Sequence, residues 1–259
     1  MIFTKHAQEP FISYRQHRLN KYAVKALLAR VYLWIDDKQN AKTYAQDVID
    51  HCGRSLVRDN QQDITLFDET LFGLNMYNME ERVKTYFTEK PGQNSDQLWV
   101  SIGNIRTVFE GTGIGINDIR FKSGYGFSVQ DQQAICRKYL KTPETNYAEK
   151  IPLIRLSEMY YIIAESVALT EGAQWINAVR NVRGISKRND VGFTTEALRI
   201  AELQKEYQKD FYAEGQFFYF LKRLNIKTFY RCPYENGMSE AAYVFPIPDD
   251  EVEFGLVIQ

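Results

Sequence analysis

The sequence predicts a mostly α protein built from paired helices, with one long loop-rich insertion and a few short strands. Three observations predict it. Apolar residues recur at helical spacing over Arg18–Ile35 and again over Asn40–His51. A glycine-dotted stretch from 53 to 137 has no sustained period. The helical period then returns from Ile151 to Leu224. Hydrophobic residues at 44% and charged residues at 25% are ordinary globular usage, so a disordered chain is excluded.

In the first hairpin, spanning 17–52, Tyr22, Ala26, Ala29 and Leu33 form one stripe, with Ala23, Leu27, Arg30 and Trp34 beside it. Small alanines let a second helix approach closely, because little side-chain volume separates the backbones. Asp36-Asp37 breaks the pattern, and Ala41, Tyr44, Ala45, Val48 and Ile49 resume it. The length is near the ~34 residues of a tetratricopeptide unit, so tetratricopeptide-like hairpins are expected.

Only Gln97–Ile102 in the 53–137 stretch has the β-prone composition of a strand. The remainder reads as a variable region of long loops, which in compact domains are functional or mobile. Helical pairs are expected again over 151–224. Pro152 suits a first turn, and one long helix carries Leu153, Leu156, Met159, Tyr160, Ile163 and Val167 to Gly172. Ala173–Arg183 pairs with it. Thr194 is placed as an N-cap with Phe193 and Leu198 as a hydrophobic staple. That helix runs to Gly215, and an aromatic one follows over Gln216–Leu224. Residues 225–259 form an extended tail containing Tyr243–Pro248 and an acidic turn.

Charge and cysteine usage exclude several functions. Lys plus Arg number 32 against 33 Asp plus Glu, which gives no electrostatic case for nucleic acid. Three histidines and three cysteines, with only His51-Cys52 adjacent, supply no ligand cluster, so neither a metal nor another cofactor is expected. No window approaches the ~18–20 apolar residues of a membrane span. The N-terminal residues lack the features of a signal peptide or a lipid-anchor cysteine, and read from Met1 alone the chain is expected to be soluble and intracellular.

Glu206, Asp210 and Glu214 lie on one helix face. Paired carboxylates can hydrolyse a glycosidic bond when one is raised in pKa, but the same spacing marks a face that receives arginines. Arg155, Glu158, Arg180, Arg183, Glu206, Asp210 and Glu214 are accordingly assigned to a structural ion-pair network, and no catalytic residue is assigned. Phe109–Ile116 is glycine-rich but lacks a Gly-Lys-Ser/Thr ending, so it reads as a flexible loop and not a phosphate cradle.

Seventeen Tyr, 16 Phe and 3 Trp are more rings than a core of this size needs. Tyr77, Tyr86, Phe109, Tyr125 and Phe127, all in the variable region, are candidate ligand-binding rings, with Asn104 and Arg106 as the neighbouring amide and charge. A ring presented from a loop can stack on the C–H face of a sugar while polar neighbours take the hydroxyls. The alternative is that such rings pin the loops onto the helices.

RLNKYAVKALLARVYLWIDD and AKTYAQDVID, then SDQLWVSI, IPLIRLSEMYYIIAES, QWINAVRNVRG, EYQKDFYAEGQFFYFLKR and YVFPIPDDEV, occur in the order found in SusD/RagB-like nutrient-binding proteins. The chain resembles the later part of a member of that family. The resemblance implies a lipoprotein on the outer face of a Bacteroidetes outer membrane. It also implies a SusC-like TonB-dependent barrel as partner, and oligosaccharide (in some members peptide) delivery without catalysis. One departure is that Tyr207, Phe217 and Phe220 stand where the family commonly places Arg, Arg and Asp, so aromatic packing is expected to replace ion pairing there. The functional alternatives are a helical module whose ligand is a protein, and an α-helical glycoside hydrolase.

Overall fold

The structure, a computed structural model, describes residues 15–58, 63–87, 96–122, 126–140 and 149–254. Helices α1 (Lys21–Trp34) and α2 (Lys38–His51) form the first antiparallel pair. Asn20 caps α1, its side-chain oxygen accepting from Tyr22 N and Ala23 N at 3.0 and 3.1 Å. Asp37 caps α2 by accepting from Asn40 N at 3.0 Å. Capping carboxylates and amides satisfy first-turn N–H groups that have no intrahelical acceptor, which fixes where each helix begins. Ala23, Ala26, Ala29, Ala41 and Ala45 are fully buried along the seam, so the two backbones pack closely.

Helix α2 packs on α5 (Leu156–Ser166), which packs in turn on α6 (Leu169–Val182). Helix α7 (Glu196–Asp210) follows, and α8 (Gln216–Arg223) folds back onto it. The mostly α, tetratricopeptide-like architecture is therefore present. One core runs through these helices around Leu33, Val48, Met159, Ile162, Val179 and Leu203.

Several boundaries differ from the sequence reading. Residues Lys150–Arg155 form strand β5, not the first turns of a helix. It pairs antiparallel with β1 (Thr70–Asn75), where Pro152 stands opposite Gly73. Proline is tolerated because the sheet has only two strands, leaving one edge of β5 without a ladder. Gly73 is needed at that crossing: a Cβ there would lie 2.8 Å from Ile151 O.

The break between α5 and α6 falls at Val167-Ala168, and Gly172 lies inside α6. A Cβ on Gly172 would stand 2.6 Å from Ala164 O, so the glycine permits a close helix crossing instead of ending a helix. The cap of α7 is Thr195, which accepts from Leu198 N at 3.2 Å, one residue beyond the predicted Thr194. Helix α7 ends at Asp210, short of Gly215.

The insertion has more regular structure than its composition suggests. It contains a short helix α3 (Met79–Val83), strand β2 (Trp99–Ser101), helix α4 (Ile102–Val108), and strands β3 (Phe127–Gln130) and β4 (Gln133–Cys136). Strands β2, β4 and β3 form one antiparallel sheet with β4 in the centre. A small second core joins the sheet to α4 through Ile102, Ile105, Phe109, Phe127, Ala134 and Cys136. The glycine-rich Phe109–Ile116 segment is wound into turns, with Gly113 N and Gly115 N both donating to Glu110 O at 3.0 Å. The acidic end of the tail is helical, as α9 (Asp249–Phe254).

Candidate functional site

The insertion is fastened to the helices by buried charge. Glu69, fully buried beside β1, accepts from Arg155 Nη1 at 2.8 Å, Arg183 Nη2 at 2.6 Å and Val57 N at 2.9 Å. Asp210 lies 3.2 Å from each of Arg120, Arg155 and Arg183. Glu206 meets Arg120 at 3.0 Å, Lys209 at 3.1 Å and Arg180 at 3.3 Å. Glu214 holds Lys138 at 2.5 Å and Arg155 at 3.0 Å. Buried charges are tolerated when paired and hydrogen-bonded, and here each carboxylate has at least two cations.

Electrostatics follow from that geometry. Burial opposes ionisation of Glu206, yet Lys209, Arg120 and Arg180 hold it down to about 2. Asp210 is likewise held well below the usual carboxylate range by Arg155, Arg183 and Arg120, against the effect of burial. A glycosidase acid needs a raised pKa to keep its proton. These carboxylates have the opposite environment, so the face that carries them is a clamp.

Glu158 lies apart from that clamp. Its two oxygens accept from Arg30 Nε and Nη2 at 2.7 and 2.6 Å, so its partner is α1 and not Arg155. Glu165 is paired bidentately with Arg223, both bonds 2.7 Å. Glu69, Asp118, Arg120, Lys138 and Lys209 complete the network and were missed, because most of their partners lie far off in sequence. The local signals were the Asp118-x-Arg120 spacing, which gives a 2.6 Å pair, and Glu206 with Lys209, three apart on α7 and 3.1 Å from each other.

The candidate ligand rings divide. Phe109 and Phe127 are 1% and 2% exposed, packed edge to face with centroids 5.6 Å apart in the second core. They pin the sheet to α4. Tyr125 lies outside the described residues. Tyr77 is 82% exposed just beyond β1. Tyr86 is half-exposed, and its carbonyl accepts from Leu98 N at 2.9 Å, so its backbone runs beside that of Leu98-Trp99.

Trp99, half-exposed on edge strand β2, was missed because its segment was read only as a short strand. Two residues on, Ser101 caps α4 by accepting from Asn104 N at 3.2 Å. The Asn104 side-chain oxygen accepts from the Tyr230 hydroxyl, also at 3.2 Å, and Tyr230 is itself exposed. Arg106 is exposed two residues further on, on another side of the same helix. Around the start of α4 the protein therefore presents Tyr86, Trp99 and Tyr230 with Asn104, while Arg106 projects from another side of the helix.

A cleft of ≈ 190 Å³ opens elsewhere, between α1, α5, α7 and α8. Trp34 and Tyr219 are half-exposed at its walls, and Tyr207 and Phe220 stack beneath with centroids 4.5 Å apart. Phe217 packs edge-on against Phe229. Aromatic packing thus occupies the positions where ion pairs were named as the family's habit. Among the described residues no group of His, Cys, Asp and Glu could hold a metal, and no helix is long and apolar enough to cross a membrane.

The sequence model of the SusD family matches residues 76–253. No match is found among curated proteins. Solved structures with the same fold include a SusD superfamily protein from Bacteroides vulgatus ATCC 8482, at 20% identity and TM-score 0.67, covering 94% of this chain and 59% of that one. A putative sugar binding protein from the same organism has 19% identity and TM-score 0.67, with 90% and 57% covered. A SusD superfamily protein from Bacteroides thetaiotaomicron VPI-5482 has 19% identity and TM-score 0.65, with 93% and 60% covered. The chain thus spans little more than half the length of these solved chains. With more than half of its own residues under the family model and the paired-helix fold in common, the chain belongs to the SusD family.

Proposed function

We propose that this chain binds oligosaccharides without catalysis at the outer-membrane surface and passes them to a SusC-like TonB-dependent barrel. The observation that carries this reading is the exposed set around α4: the rings of Tyr86, Trp99 and Tyr230 with Asn104, and Arg106 exposed on another side of the same helix. Exposed rings with an adjacent amide suit a pyranose, whose C–H face is apolar and whose hydroxyls need donors and acceptors. Tyr77 is a more distant contact for a longer chain. The family match supports the same reading, as does the sugar-binding description of one relative of like fold. Attachment to the membrane as a lipoprotein belongs to this proposal too.

A second reading, a helical module whose ligand is a protein, draws on α1. That helix buries one alanine stripe and exposes Val24, Leu27, Val31, Trp34 and Ile35 along another. Titration against an oligosaccharide panel separates the two. Trp99→Ala should weaken the best ligand about tenfold, the size of one lost ring contact, with the melting temperature unchanged. Equal affinity in Trp99→Ala and Tyr86→Ala, or no binding across the panel, refutes the glycan reading. Bond cleavage abolished by Glu214→Gln would refute the absence of catalysis.

A further inference from the structure

The ≈ 190 Å³ cleft between α1, α5, α7 and α8 lies in the helical stack, separate from the ring surface at α4. On the ~30 Å³ that a water occupies in the liquid, it holds roughly six waters, or one six-membered ring with a substituent. Its side walls are Trp34 and Tyr219, and Leu33, Ile162 and Phe220 add apolar surface.

The polar groups converge on Tyr207. Its ring is buried and lines the cleft, and its hydroxyl feels both the Arg30–Glu158 and the Arg223–Glu165 pairs. That hydroxyl has no hydrogen-bond partner among the described residues. Both oxygens of Glu158 are taken by Arg30. Arg30 Nη1, Arg223 Nε and the Gln216 amide have no acceptor among the described residues. The lining thus has a surplus of donors, two of them on guanidinium groups, and its one carboxylate is already committed. The complementary ligand group is a strong multiple acceptor, and the complementary body is a ring with an apolar face.

We propose that this cleft is a second small-molecule site, taking a carboxylate carried on a six-membered ring. The carboxylate meets Arg30, Arg223 and the Tyr207 hydroxyl, and the ring lies against Trp34 and Tyr219. A uronic acid unit of a glycan and a free aromatic acid share this chemistry.

Calorimetric titration of the full chain with D-glucuronate, benzoate, D-glucose and acetate tests the assignment. One or both ring acids should bind saturably. Glucose, which lacks the carboxylate, and acetate, which lacks the ring, should bind at least about tenfold more weakly, as loss of a charge-assisted bond or a ring contact requires. Binding by glucuronate alone identifies a sugar acid as the source, and binding by benzoate alone an aromatic acid. Trp34→Ala and Tyr219→Ala should each weaken binding about tenfold, whereas Tyr219→Phe and Trp99→Ala should leave it unchanged. Both alanine positions are half-exposed, so folding should survive, which a melting curve checks. The proposal is overturned if neither acid binds, if glucose or acetate matches the ring acids, or if both alanine variants retain full affinity.

Discussion

Glu69→Gln tests whether buried charge fastens the insertion to the helices. The carboxylate accepts from two guanidinium groups through Oε1 and from Val57 N through Oε2. Glutamine is nearly isosteric but offers one acceptor and one donor end. If the amide oxygen faces Arg155 and Arg183, the NH₂ group points at the Val57 N–H, and a buried donor loses its acceptor at a cost of about 1–3 kcal/mol. The reverse orientation sets NH₂ against two cations and is worse. Removing the negative charge also leaves Arg155 and Arg183 to share Asp210 and Glu214. Breaking a buried ion pair by neutralising one member costs about 3–5 kcal/mol in total. That corresponds to roughly 10 °C in melting temperature for a chain of this size. Urea denaturation followed by circular dichroism measures it, with Glu81→Gln as control. Glu81 pairs with Lys84 at the surface, where such a pair contributes about 1 kcal/mol at most. A loss below about 1 kcal/mol for Glu69→Gln, or one equal to the control, would show that the clamp does not stabilise the fold.

Three further outcomes follow from the same structure. Tyr161→Phe removes a fully buried hydroxyl that has no hydrogen-bond partner among the described residues, so the unfolding free energy from urea denaturation should stay level or rise by up to about 1 kcal/mol. Ala26→Leu forces extra carbons into the α1 seam and should cost about 1–3 kcal/mol in the same assay. Burial raises Asp63 to about 6 from an ordinary 3.8, even though the N–H groups of Asp68 and Phe67 donate to it. The native state then holds this proton more tightly, so its contribution is full below the unfolded value and is lost as pH climbs towards about 6. The change is on the order of 2–3 kcal/mol. Asp63→Asn should flatten stability over that window. Glu206, held low, acts in the opposite sense below its ordinary value of 4.5.

The helices were legible because their spacing is local. Alanines at every third or fourth position of α1 and α2 fix both the period and the buried face, and Asn20 and Asp37 fix the starts. Strand β5 was not legible: Ile151, Leu153 and Ile154 fit either period, and only pairing with β1, far upstream, selects the extended form. The clamp was half legible. Carboxylates four residues apart announce a charged face, but Arg30 finds Glu158 across 128 residues and Arg183 finds Glu69 across 114. Among the rings, Phe109 and Phe127 were read outward because glycine surrounds them, whereas the insertion closes a small core of its own. Trp99 was read only as part of a short strand; composition does not show that β2 lies at the sheet edge with this ring in solvent.

The β1–β5 ladder brings Asn75 back beside Lys150, 75 residues later, and so gives the insertion a neck. Lengthening a chain segment whose ends are already joined adds only about 0.6 kcal/mol of closure entropy for each doubling. What hangs from the neck can therefore be rewritten, shortened or enlarged at small cost to the rods below it. Selection could then redesign the recognition surface while the frame stays fixed.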